Sequence, residues 1–139
     1  MPEEIDIYVD GSWDTAQQCA KWAFIVVKNN QNIYSNKGII TNPEVNEGQQ
    51  IGGELKAVIE GVKWCKQNNV SATFWHDYIG IKMWCADIFG GKPWKTNKKY
   101  TKAYRDYILN NKQFIKEFKW VKGHADCYWN NKVDELAGS

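Results

Sequence analysis

Long apolar runs are missing from this chain. The longest, residues 22–27 (Trp-Ala-Phe-Ile-Val-Val), is six residues, against the roughly 18 to 20 that a membrane-spanning helix needs. The opening Met-Pro-Glu-Glu-Ile carries no cationic stretch followed by an apolar core, so the chain reads as soluble, unexported and cytoplasmic, with no membrane partner. Proline is scarce at three residues and the eleven glycines are ordinary, which excludes a low-complexity chain; an aromatic content of 14% excludes disorder. Cysteines 19, 65, 85 and 127 form no C-x-x-C pair, and neither histidine stands at zinc spacing from them. Neither a disulfide framework nor a zinc knuckle is supported, and the four are expected as reduced, mostly buried thiols. No apolar heptad or stripe argues for more than a monomer.

What is present fits one domain, residues 1–139, with a real core: 43% of the residues are hydrophobic. The net charge of +2 hides an asymmetry. Residues 92–122 hold ten basic and two acidic residues, leaving eight basic and fourteen acidic for the rest. One surface of such a protein suits a polyanion, while another collects carboxylates around cations; a solvated lysine face is the plainer alternative.

Period-two alternation predicts a strand over 5–10, ending in a turn at Gly11-Ser12. A second strand, 21–28, is apolar enough to lie inside a sheet, and a third, 33–41, follows turn residues 29–32. Short links make these an antiparallel meander. Gly52-Gly53 opens a helix carrying Leu55, Val58, Ile59, Val62 and Cys65 on one face, with Glu54 in its first turn and Lys63 and Lys66 near its end. A strand over 71–76, a helical stretch over 78–86, an irregular link over 87–97, a basic helix over 98–111, a strand over 114–122 and a helix over 129–137 complete the order. That order implies an α/β fold whose later strands join by helical crossovers.

Four carboxylates stand where such a fold makes them informative. Asp10 ends the first strand, Glu54 opens the long helix, Asp77 ends the fourth strand and Asp134 lies in the last helix. Ligands gather outside the carboxyl ends of strands where strand order reverses, and a crossover from the meander would lay Asp77 beside Asp10. Clustered carboxylates repel unless cations sit among them. An all-oxygen set suits Mg²⁺ or Mn²⁺ rather than zinc.

With Asp10-Gly-Ser12, Gly53-Glu-Leu-Lys-Ala57, Asp77 after an apolar strand, and Lys122-Gly-His-Ala125 followed ten residues past the histidine by Asp134-Glu-Leu-Ala137, nearly the whole chain resembles the type 1 ribonucleases H. Asp77-Tyr-Ile-Gly-Ile81 with Trp84 and Trp94-Lys-Thr-Asn97 is similar to a bacterial branch often fused to an amino-terminal, viroplasmin-like hybrid-binding domain, which is not expected in these 139 residues. The resemblance implies the RNase H-like fold: a five-stranded mixed sheet, antiparallel meander then parallel crossovers, flanked by helices. It implies an endonuclease that hydrolyses the RNA strand of an RNA–DNA hybrid with two Mg²⁺ ions (or Mn²⁺) and leaves 5′ phosphates. One ion would activate the attacking water and the other stabilise the leaving 3′ oxygen. Asp10 would bridge them, with Glu54, Asp77 and Asp134 completing their shells and Glu54 near the ribose 2′-hydroxyl.

His124, in a glycine-containing loop, would assist proton transfer, for which an ordinary pKa near 6.5 is suited. Gln50 would read the minor groove of the hybrid, a role Ile51 cannot share. Gly11, Ser12 and Asn130 are further expected contacts. The family's basic handle helix is shortened here, and Lys95, Lys98 and Lys99, with Lys92, Lys102 and Arg105, are expected to take its place. The third family carboxylate commonly lies between Thr and Ser, whereas Asp77 lies between His76 and Tyr78. His76 is expected to be a packed residue, and most Trp and Tyr core, with Trp13, Trp94 and Trp129 as stacking candidates. Two rivals remain: another nuclease on this fold, resolvase- or exonuclease-like, which has no use for Lys-Gly-His, and a non-catalytic hybrid-binding module, against which the intact set of four carboxylates argues.

Overall fold

Turn-forming residues set the lengths of the first three strands, β1 (Ile5–Asp14), β2 (Cys19–Lys28) and β3 (Gln31–Ile39). The structure, a computed structural model, describes residues 4–121 and 127–139. Asn29 and Asn30 both adopt left-handed backbone, φ 53° and 58°, which a two-residue hairpin requires and asparagine tolerates. The β1–β2 turn lies at 15–18, where Asp14 Oδ1 accepts from the Ala16 and Gln17 amides at 3.0 Å each. The turn expected at Gly11-Ser12 is therefore not there: Gly11 pairs with Trp22 and Ser12 with Lys21 inside the ladder. Glycine at 11 answers a packing demand, not a turn.

After α1 (Pro43–Asn46), capped by Asn42 accepting from the Glu44 amide at 2.9 Å, α2 runs Gln50–Asn68 and ends at a left-handed Asn69. Gly52 and Gly53 lie within this helix, not at its opening, and Glu54 falls in its second turn, so the expected dipole pairing at the start does not apply. A side chain at Gly53 would collide with the Lys21 carbonyl of β2. β4 (Ala72–His76) follows. The helix expected over 78–86 is cut to α3 (Gly80–Met83) and a 3₁₀ turn, Ala86–Phe89, closed by Gly90 at φ 86°. α4 (Lys99–Asn110), β5 (Ile115–Trp120) and α5 (Tyr128–Gly138) complete the chain.

The sheet order is β3-β2-β1-β4-β5, with β1–β2 and β2–β3 antiparallel and β1–β4 and β4–β5 parallel. This is the expected five-stranded mixed sheet of the RNase H-like fold. Alternation gives β2 two buried faces: Trp22, Phe24 and Val26 join the larger core, with Val58 and Val62 of α2 and Tyr104 and Ile108 of α4. Ala23, Ile25 and Val27 pack with Tyr8 against Val133 and Ala137 of α5. Cys19, Cys65 and Cys85 are buried and Cys127 half-buried, all as thiols. The tryptophans depart from the core expectation: Trp22 is buried, Trp94 and Trp120 are exposed, and the other five are half-buried at the core margins. Indole rings are too large for most positions between helix and sheet in so small a domain.

Candidate active site

β1 and β4 are the neighbours between which strand order reverses. Their register sets Tyr8 beside Trp75, and two residues further on the same register sets Asp10 level with Asp77. Parity decides where the side chains go. Asp10 shares the face of Tyr8, towards α5, while Gly11 shares the face of Ile7 and Val9, towards α2. A Cβ on Gly11 would strike the Glu54 amide nitrogen and the Gln50 carbonyl, and would lie 2.6 Å from the Gly53 carbonyl carbon. The missing side chain lets α2 rest on the strand, and Glu54 reaches over it to Asp10.

One ligand oxygen each from Asp10, Glu54 and Asp77 lies within 4.8 Å of the others. Asp10 is 3% exposed and Glu54 4%. Asp134, from α5, lines the same cavity, with Gly11, Gln50, Ile51, Tyr78, Asn130 and Asn131. Asp10 Oδ1 accepts from the Gly11 amide at 2.8 Å. Among the described residues no donor reaches Asp10 Oδ2 or Glu54 Oε1, although both are buried. Burial foremost, then the neighbouring Asp134 carboxyl and the charge of Asp77, push the Asp10 carboxyl up to about 8 against the pull of the Gly11 amide. Burial, then the charges of Asp10 and Asp77, hold Glu54 well above the carboxylate range. Buried, donor-starved oxygens crowded in this way fit hard divalent cations, which replace the missing donors and cancel the repulsion.

The remaining expected residues are distributed around this centre. Gln50 opens α2 at the cavity rim, and Asn130 is buried in its wall with Oδ1 unpartnered. Ser12 does not face the cavity: its hydroxyl donates to the Ala137 carbonyl at 2.7 Å, fastening α5 to β1. Lys95, Lys98 and Lys99 are exposed, the last two in surface pairs with Glu47 (3.3 Å) and Glu44 (3.6 Å). Arg105 is committed elsewhere, forked onto Asp87 at 2.7 and 2.8 Å and onto the Trp84 carbonyl at 2.8 Å. His124 lies outside the described residues. Trp94 is exposed and meets Trp84 edge-on; Trp129 donates to Asn30 at 3.1 Å, and Trp13 packs at the core margin.

His76 is wholly buried, as expected. Burial outweighs the bond to the Tyr78 carbonyl and lowers its pKa to about 4. Tyr78 and Asn131 line the cavity without having been singled out in the sequence. Each lies one residue from a marked position, Asp77 and Asn130, and that adjacency was the only available signal.

The sequence profile of the RNase H family matches residues 2–139. Ribonuclease HI of Haemophilus ducreyi is 40% identical over 93 residues, 60% of this chain and 59% of that protein, so the match spans less than two thirds of that relative. Ribonuclease H of Wolbachia pipientis wMel is 29% identical over 144 residues, covering 97% of this chain and 93% of the relative. RNase H1 of the halophilic archaeon Halobacterium salinarum superposes with a TM-score of 0.71 at 13% identity, over 97% of this chain and 95% of that one. The amino-terminal RNase H domain of a Mycobacterium tuberculosis protein gives 0.69 at 13% identity, over 99% and 95%. These two structures share the fold, and the family match spans residues 2–139. The chain belongs to the RNase H family.

Proposed function

We propose that the protein hydrolyses the RNA strand of an RNA–DNA hybrid as a divalent-metal-dependent endonuclease, leaving 5′-phosphate ends. The observation that carries this reading is the convergence of Asp10, Glu54 and Asp77 from three separate elements to within 4.8 Å, with Asp134 on the same cavity wall. Family membership supplies the reaction class. Asp10, Glu54, Asp77 and Asp134 would hold two Mg²⁺ ions, or Mn²⁺. Ions bound there supply Lewis acidity and a water of lowered pKa.

The chain's own groups do the rest. β1, α2 and α5 hold Asp10, Glu54 and Asp134 in place, so little reorganisation is needed when the scissile phosphate arrives. His124 delivers a proton to the leaving 3′ oxygen. Gln50 and Asn130 present amides to the minor groove, where the 2′-hydroxyls distinguish RNA from DNA. The Gly11 backbone lines the cleft beside the strand being cut, and the Ser12 hydroxyl fastens α5 behind it. Lys95, Lys98 and Lys99 follow the phosphates. Residues 1–139 act as one catalytic domain, monomeric and cytoplasmic; no helix among the described residues is long and apolar enough to cross a membrane.

The test is cleavage of an RNA–DNA duplex labelled on the RNA strand, with and without Mg²⁺, beside duplex DNA and single-stranded RNA. The RNA of the hybrid is expected to be cut only with Mg²⁺, duplex DNA left intact and single-stranded RNA cut poorly. Equal cutting of duplex DNA, or metal-independent cutting of the hybrid, would overturn the proposal.

A further inference from the structure

Asp77 stands just past the end of β4, which stops at His76, so no sheet ladder fixes its backbone. Three successive carbonyls around it are nevertheless each bonded. The His76 carbonyl accepts from the Val121 amide at 2.7 Å. The Asp77 carbonyl accepts from Trp120 Nε1 at 3.0 Å. The Tyr78 carbonyl pairs with His76 Nδ1 at 2.9 Å. The Tyr78 carbonyl also takes an ordinary backbone bond, from the Ile81 amide at 3.2 Å, so the bonds from Trp120 and His76 are the side-chain additions.

The two side-chain bonds are not explained by packing. A carbonyl only accepts, so His76 Nδ1 must donate. Among the described residues its Nε2 is then left buried without a partner. A phenylalanine would fill this fully buried position, beside Phe118, without leaving a buried nitrogen unpaired. What histidine adds over an apolar ring is the bond to Tyr78. Trp120 is 52% exposed, so it contributes little to the core, yet its one polar atom is spent on Asp77.

We propose that His76 and Trp120 are positioning residues: together they clamp the main chain on both sides of Asp77 and so aim its carboxylate at Asp10 and Glu54. The inference rests on the metal-dependent reading above. Groups one bond removed from a ligand commonly set metal affinity, and their loss costs about 10- to 100-fold in affinity or activity. Mg²⁺ is the more demanding ion because it tolerates little departure from octahedral geometry.

The experiment is calorimetric titration of Mn²⁺ into the metal-free protein, paired with hybrid-cleavage kinetics, for wild type, Trp120→Phe, His76→Phe and His76→Asn. Trp120→Phe keeps an aromatic ring and loses the N–H. It is expected to melt with wild type yet bind Mn²⁺ about tenfold more weakly, with kcat falling and KM for the hybrid unchanged. His76→Phe should behave likewise, whereas His76→Asn, which retains a donor near the Nδ1 position, should regain most of the Mn²⁺ affinity despite the smaller side chain. Wild-type Mn²⁺ affinity in folded Trp120→Phe would overturn the clamp, and that variant decides alone if His76→Phe does not fold. A wild-type chain that neither binds Mn²⁺ nor cuts hybrid would overturn the functional reading and the clamp with it. A wild-type chain that does both, matched by its variants, overturns the clamp only.

Discussion

Gly11 and Glu54 meet backbone to backbone: the place where a Cβ on Gly11 would project is filled by the amide nitrogen of Glu54. This contact seats α2 against β1, and the separation of the Glu54 and Asp10 carboxylates follows from it. Any side chain at 11 has to push the helix away, because the atoms it meets belong to the main chain and have no rotamer to change.

Gly11→Ala should therefore cost stability and activity together. Overpacking against backbone costs about 1 to 3 kcal/mol or more. Urea denaturation should show a lower midpoint, and the purified variant should cleave hybrid poorly even when fully folded, since Glu54 is displaced from the cluster. An alanine variant with wild-type stability and rate would contradict the packing argument.

The metal-free protein should lose stability as pH rises. Burial, helped by the neighbouring Asp134 carboxyl and the charge of Asp77, raises folded Asp10 to about 8, against about 3.9 in an unfolded chain. Between those values the folded state binds more protons, so this contribution is complete below about pH 3.9 and lost as pH climbs through the folded value. Asp10→Asn removes it. In EDTA the variant should melt above wild type at pH 8, with the gap closing towards pH 4. Mg²⁺ should raise the wild-type Tm at pH 8 more than the variant's. Turnover by Asp10→Asn should fall by more than the roughly 10- to 100-fold that a lost outer partner costs, and near wild-type cleavage would show that Asp10 holds no metal.

Replacing Lys95, Lys98, Lys99 and Lys102 with Ala should raise KM for the hybrid and leave kcat largely unchanged, because phosphate contacts hold ground and transition states alike. Each lost contact should flatten the log–log salt dependence of binding by roughly one unit. The ion pairs of Lys98 with Glu47 and Lys99 with Glu44 are no obstacle, since both are surface pairs with well-exposed partners of little strength. An unchanged salt slope would leave these lysines as a solvated face.

Arg105 should prove structural. The hydrogen bonds it donates to Asp87 hold that carboxyl below its ordinary value, so the pair stabilises the fold above about pH 3.9 and loses its effect as pH falls through the lower folded value. Arg105→Gln should lower stability at neutral pH by under about 1 kcal/mol, given the exposure of the pair. The difference from wild type should vanish in acid, and the salt slope of hybrid binding should not change. A flatter slope would place Arg105 among the phosphate contacts.

Strand patterning, turn residues and the spacing of Leu55, Val58, Val62 and Cys65 were enough to read the element order and the mixed sheet from the chain alone, because side-chain period is a local property. The four carboxylates were legible too, through the motifs around them. What stayed hidden depends on contacts between distant segments. Gly11 looked like a turn residue, since glycine serves turns and close packing equally well, and only the seating of α2 on β1 distinguishes the two. Gly52 and Gly53 looked like a helix opening for the same reason. The sequence could not show that the Ser12 hydroxyl donates to the Ala137 carbonyl or that Arg105 Nη1 and Nη2 donate to Asp87 and the Trp84 carbonyl. Residue type specifies what a donor is able to bind, and the tertiary structure determines whether a nearer acceptor has already claimed it. Trp120 carried no mark at all in the sequence: 43 residues separate it from Asp77, and only the parallel pairing of β4 with β5 brings the indole to that carbonyl.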